Sequence, residues 1–217
     1  TMSGSISYLG LVLTLISTIG IIFTTIYREW KRNSVQASQQ VLDRLYSCEG
    51  LWVRCTSPTP GQFQCDDYDT ALLGLPPSLQ AQRAMMCIAA IAAVAGIVAG
   101  ALGLQCIKVM EGSNAKVHTG RAGGGLMFLA GALTIAAVSW YAADVVYQFH
   151  VEVITNQSFT YEFGSALYVG WIAGGCALIS GALMACCNCG NEETDSYPAY
   201  TYKPPKASGG GNNTEYV

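Results

Sequence analysis

Charge is what this sequence has least of. Only 12% of its 217 residues are Asp, Glu, Lys or Arg, against about 25% in a soluble domain. There is no basic excess, since 11 Lys and Arg stand against 14 Asp and Glu. Nucleic-acid binding, which needs positive charge gathered on one face, is therefore excluded. Histidine is scarce, and His118 and His150 lie far apart. Metal-ligand spacing, a nucleophile–base pair and a phosphate loop are all missing, so neither an enzyme nor a cofactor is expected. No long apolar run carries a charge at its centre, which argues against a transporter or proton pump.

What is abundant is apolar: 51% of the residues are hydrophobic. Four runs stand out, at 6–27, 85–109, 123–146 and 164–187. Each is long enough to cross a hydrocarbon core of about 30 Å at about 1.5 Å per residue. Thr1, ahead of Met2, reads as an addition and is set aside. The first run has no basic residue before it and a longer core than a cleaved leader, so it is expected to be retained. Four spans place both termini on one side, with the loop 110–122 and the tail 188–217. Loops 28–84 and 147–163 share the other side. A count of basic residues alone would put loop 28–84 inside. That loop is long and carries balancing acids, however, and its cysteines suit an oxidising compartment. Asn156-Gln157-Ser158 is a glycosylation sequon. Cys186, Cys187 and Cys189, just past the fourth run, suit palmitoylation on the cytosolic side, the other reading being interfacial thiols. Loops 28–84 and 147–163 are thus expected outside and both termini in the cytoplasm.

The runs are rich in small residues, with Gly96/Gly100 and Gly170/Gly174 at small-xxx-small spacing. Lipid supplies no hydrophobic force between helices, so close backbone approach has to hold them. Packing within one bundle is the expectation, packing between protomers the alternative.

One stretch breaks the pattern: "EGLWVRCTSPTPGQFQCDDYD", from Glu49 to Asp69. Cys55 and Cys65 are equidistant from Pro60, and Pro60-Gly61 is a strong turn signal. A turn there makes the cysteines cross-strand partners, and the flanks carry the β-branched and aromatic residues that strands prefer. A disulfide closing this loop would contribute roughly 3 kcal/mol in the chain-entropy view. A stapled hairpin in a small sheet is expected.

Trp30, Gly50-Leu51-Trp52, Cys55 and Cys65 together resemble the W–GLW–C–C signature of the claudins. "LLGLPPSLQAQRAMM", with Arg83, is similar to their short extracellular helix leading into span two. "SWYAADVV" is similar to the end of their third span and "YEFGSALYVGW" to the start of their fourth. Nearly the whole chain is covered. The resemblance implies a membrane α+β fold, a four-transmembrane-helix bundle crowned by a small antiparallel extracellular β-sheet of five strands. It implies polymerisation with itself and other claudins, in one membrane and between cells, at tight junctions of the plasma membrane. There the strands seal or conduct through the gap between cells. Asp66 and Asp67 match positions at which cation-selective claudins line their pore with acids, and Asp69 follows. Asp67 and Asp69 share a strand face, with Asp66 opposite. A cation-selective paracellular channel is the expectation. The alternatives are neutralisation by Arg54 in a barrier-forming claudin, or an auxiliary channel subunit of the same superfamily.

Some positions depart from the family. Cys48 is a third cysteine in the first loop, open to being free, pairing with another chain or competing with Cys55. The apolar knob that enters a neighbour's aromatic pocket is here Ala71, followed by Leu72 and Leu73. On the pocket side Phe149 is kept and His150 is the second ring. A glycan on Asn156 would obstruct an adhesive face. The tail lacks apolar surface and is expected to be disordered. It ends in Tyr216-Val217, whose free carboxylate resembles the claudin ligand for PDZ domains of junctional scaffolds.

Overall fold

The computed structural model of the protein describes residues 2–35, 46–59, 62–68, 76–103, 114–154 and 159–189. Ala71, Leu72, Asn156, Tyr216 and Val217 lie outside the described residues, and of Cys187 and Cys189 the helical backbone alone is described. Four helices form the body: α1 (Met2–Ile26), α2 (Pro77–Gly103), α3 (Asn114–Ile154) and α4 (Ser165–Cys189). All four are long and apolar enough to cross a membrane. Five strands, β1 (Lys31–Val35), β2 (Tyr46–Glu49), β3 (Val53–Thr59), β4 (Gln62–Asp67) and β5 (Phe159–Phe163), make one antiparallel sheet in the order β4-β3-β2-β1-β5. The connections from α1 to α2 and from α3 to α4 supply every strand, so the whole sheet caps one end of the bundle.

The bundle follows from its small residues. A Cβ built on Gly123 would sit 2.6 Å from the Gly100 amide nitrogen of α2, and one on Gly181 would sit 2.6 Å from the Phe128 nitrogen of α3. At these crossings backbone meets backbone, and there is no room for a side chain. Gly96, Gly170 and Gly174 also face neighbouring helices of the same chain. The small-xxx-small pairs thus pack within one bundle. Between the crossings Ile21, Ala89, Ala93, Met127, Ala130 and Ala177 form a fully buried core. Ile16, Ile19, Ile91, Ile172 and Ile179 point outward, as lipid-facing residues would. Several buried hydroxyls find an acceptor within their own helix. Those of Thr14, Thr18, Thr25 and Thr134 donate to the carbonyl four residues back, at 2.7–2.8 Å.

Two helices run past their apolar runs. α2 begins at Pro77, where the ring's fixed φ suits the first helical position. The short helix expected to lead into span two is, over residues 77–86, the first turns of one continuous helix. α3 has 41 residues, about 60 Å at the α-helical rise. Residues 114–122 and 147–154 are helix where loops were expected. Neither extension contains proline to stop the helix, so it propagates from the packed span, at one hydrogen bond per added residue, into sequence that hydropathy leaves out.

The crossings make a paired prediction. Gly181→Ala has to move backbone, so it is expected to cost about 1–3 kcal/mol. Gly175→Ala, whose Cβ meets nothing within 4 Å, is expected to be neutral or to gain up to about 1 kcal/mol from helix propensity. Thermal unfolding of the detergent-solubilised protein separates the two.

Candidate functional site

The sheet and its joint to the bundle hold most of the residues the sequence singled out. α1 stops at Ile26, and the carbonyls of its last turn have no partner within the helix. The Trp30 indole donates to the Thr24 carbonyl at 2.9 Å, and the Trp52 indole to the Thr25 carbonyl at 2.9 Å. Trp30 is fully buried and meets Tyr141 of α3 edge-to-face at 5.1 Å. Two signature tryptophans therefore act as the C-terminal cap of α1. One comes from the chain just past the helix and the other from the β2–β3 turn.

That turn is Gly50-Leu51-Trp52. The Gly50 amide donates to the Val53 carbonyl at 2.9 Å, closing the hairpin. A Cβ on Gly50 would lie 2.8 Å from the Arg28 Cα, so only glycine fits this close approach. Leu51 is fully buried in the cluster with Trp30, Met86, Val138 and Leu167. The turn's carbonyls are also used. Arg83 of α2 donates through Nε to the Leu51 carbonyl at 2.6 Å, and the Tyr68 hydroxyl donates to the Gly50 carbonyl at 3.2 Å. The Arg83 guanidinium lies 5.0 Å from the Trp52 ring centroid and 5.1 Å from that of Tyr68. Burial pushes the Tyr68 phenol up from its ordinary value, Glu49 adding to the effect and Arg54 and Arg83 opposing it. The hydroxyl stays protonated and remains a donor. Farther along, Lys31 Nζ donates to Gln148 at 2.7 Å, tying β1 to α3. Gln82 donates to Asp144 at 3.0 Å, tying α2 to α3. Asp144, near the sheet end of α3, is thus partly buried and engaged.

The hairpin forms as expected. Cys55 and Cys65 are register partners and are bonded, S–S 2.05 Å. The register shifts between Thr56 and Thr59, next to the turn. Across the sheet, Cys65, Cys55 and Cys48 stand in one row, and Asp66, Arg54, Glu49 and Lys31 in the next. Asp66 lies directly opposite Arg54, yet the Arg54 guanidinium bonds to Glu49 at 3.0 Å. Asp67 lies opposite Val53 on the other face. Both aspartates are exposed on β4, an edge strand, and among the described residues neither forms an ion pair.

A second feature lies at the other edge. Val145, Val146 and Phe149 of α3, Glu162 and Phe163 of β5 and Tyr168 of α4 line an apolar groove of about 440 Å³. Phe149, the ring singled out in the sequence, is among them. His150 is not among the lining residues: it is exposed, with Nδ1 2.8 Å from the Val146 carbonyl, and packs on the rim against Phe149. The second and third rings are Phe163 and Tyr168, which the sequence reading passed over although both sit in the "YEFGSALYVGW" stretch. Tyr68 was likewise missed. Cys186 is exposed at the far end of α4.

These elements define a class: a multi-pass membrane protein whose four-helix bundle carries, at one end, a disulfide-stapled sheet locked on by tryptophan, arginine and glycine. A family model described as the PMP-22/EMP/MP20/Claudin family matches residues 5–184. The chain is 36% identical to claudin-19 of Homo sapiens over 93% of this chain and 89% of that protein. It is 32% identical to claudin-14 of Mus musculus over 98% and 85%, and 34% identical to claudin-4 of Canis lupus familiaris over 91% and 92%. The chain belongs to the PMP-22/EMP/MP20/Claudin family, among its claudins, and so is a structural membrane protein rather than an enzyme.

The cap is testable. Trp30→Phe keeps a ring against Tyr141 and leaves the buried Thr24 carbonyl without its donor, at an expected cost of about 1–3 kcal/mol. It is read as a lower unfolding temperature in detergent, and unchanged stability would deny the indole its capping role.

Proposed function

We propose that this protein is a tight-junction claudin that polymerises into strands and forms a cation-selective paracellular channel, with Asp66 and Asp67 setting the charge preference. The observation that carries this reading is the commitment of Arg54 to Glu49. It leaves Asp66 unneutralised, while Asp67 points to the other face, and among the described residues neither exposed carboxylate has an ion-pair partner. Fixed carboxylates along a narrow aqueous slot concentrate cations and repel anions, and screening by salt is weak at that range.

In this reading the sheet faces outward, which suits its disulfide. Both ends of the chain then lie in the cytoplasm, since α1 begins and α4 ends away from the sheet. The groove around Phe149 would take the apolar residues near Ala71 and Leu72 of a neighbouring claudin, a contact between copies in one membrane. Cys186, Cys187 and Cys189 would carry acyl chains, and Tyr216-Val217 would dock as an added strand on a junctional PDZ domain. A glycan at Asn156 would restrict contacts between cells.

The test is Asp66→Asn with Asp67→Asn in an epithelial monolayer, read as the dilution potential. The sodium-over-chloride preference is expected to fall several-fold towards unity. An unchanged preference contradicts the selectivity assignment and returns the chain to the barrier-forming claudins. Co-purification with a large pore-forming channel would instead mark an auxiliary subunit.

A further inference from the structure

The third cysteine of the first loop has a place in the fold that turns a spacing oddity into chemistry. Cys48 on β2 is the register partner of Cys55 on β3, and Cys55 is in turn the partner of Cys65 on β4. Directly opposed residues of antiparallel strands project to the same face with Cβ atoms about 4.5–5.5 Å apart. Cys48 is a free thiol, 3% exposed, while Cys55 is 1% exposed and Cys65 is open to solvent. The disulfide therefore runs along a three-cysteine row, and Cys48 sits at the end of that row away from Cys65. This is the direction displacement at sulfur requires: the attacking thiolate, the central sulfur and the leaving sulfur lie nearly in line. At the leaving end, Arg28 Nη1 donates to Cys65 Sγ at 4.0 Å, so a cation is already in position to stabilise a departing thiolate.

We propose that the Cys48 thiolate displaces Cys65 from Cys55, giving a second disulfide isomer, Cys48–Cys55, in which Cys65 is an exposed thiol on the edge strand. The Cys48–Cys55 S–S bond forms as the Cys55–Cys65 bond breaks. The electron pair of the broken bond leaves on Cys65, which takes up the proton that Cys48 gave to solvent. No oxidant or reductant is consumed. In this isomer Cys65, next to Asp66 and Asp67, is a modification site open to alkylating agents and to small disulfides.

The environment also explains what holds the exchange back. Burial pushes the Cys48 thiol up from its ordinary value. Glu29 adds to this, while Arg28, in the segment before β1, and Arg32, its register partner on β1, oppose it. The nucleophile is thus protonated near neutral pH and becomes available as the pH rises, with the thiolate fraction growing about tenfold per pH unit below the thiol's own value.

The sequence makes the two isomers separable by mass. Trypsin cuts after Arg44, Arg54 and Arg83, placing Cys48 in the peptide 45–54 and both Cys55 and Cys65 in 55–83. The full chain in detergent is held with a maleimide at about pH 6 and at about pH 8, digested without reduction and mapped. The expected result is a 45–54/55–83 cross-linked pair carrying the maleimide on Cys65, its yield rising about tenfold or more from the lower pH to the higher. In Cys48→Ala, labelling of Cys65 is expected to be lost with the Cys55–Cys65 linkage intact. The proposal is overturned if wild type gives only the internal Cys55–Cys65 linkage at both pH values, with or without maleimide on Cys48. It is equally overturned if the maleimide lands on Cys55, or if Cys65 labels to the same extent in Cys48→Ala. Should the variant fail to fold, the wild-type linkage map decides alone.

Discussion

The structure depends on how α1 ends. A helix terminus leaves carbonyls without partners, and in lipid or at its edge such groups are costly. Here the acceptors are the Thr24 and Thr25 carbonyls, and the donors are two indoles, one just before β1 and one in the β2–β3 turn. Neither side can be satisfied alone, so forming the sheet and ending the helix are one event. The Gly50-Leu51-Trp52 turn then gains a second hold, through Arg83 on α2 and the fully buried Leu51. The signature therefore makes a joint: glycine lets the turn approach Arg28, leucine anchors it, and tryptophan caps the helix.

A rigid joint is what the proposed function needs. Charge selectivity in a narrow path comes from fixed charges at fixed places, and carboxylates on a swinging hairpin would average out. Asp66 and Asp67 follow the cysteine that staples β4 to β3. β3 is paired to β2, and β2 runs into the capped turn. Each step passes through hydrogen bonds or a covalent bond. The same arrangement puts Arg54 between two carboxylates and resolves the choice in favour of Glu49, its neighbour on β2. The row of Cys48, Cys55 and Cys65 belongs to this lattice as well, and its spacing is set by the strand pairing rather than by the cysteines themselves.

Much of this was legible in the sequence, for identifiable reasons. The four helices announce themselves because lipid demands long apolar runs. The hairpin was readable from Pro60-Gly61 between two equidistant cysteines, since a turn fixes register locally. The pairing of β1 with β5 was not readable from periodicity. "KRNSV" and "FTYEF" meet only after three strands and two helices have folded between them, and such non-local pairing leaves little local trace. The long polar-ended α3 escaped for a similar reason: residues 147–154 are helical because they continue a packed helix, not because hydropathy marks them. Tyr68, Phe163 and Tyr168 were missed because an aromatic near a loop has many possible partners. Only the fold shows that one stacks on Arg83 and the others line the groove with Phe149.

In the proposed function, the locked sheet presents the surfaces on which copies of this chain assemble. Freeze-fracture electron microscopy of junction-free fibroblasts expressing the protein tests it most directly. Continuous strands at cell contacts are predicted. Protein present at the cell surface with no strands at the contacts would contradict it.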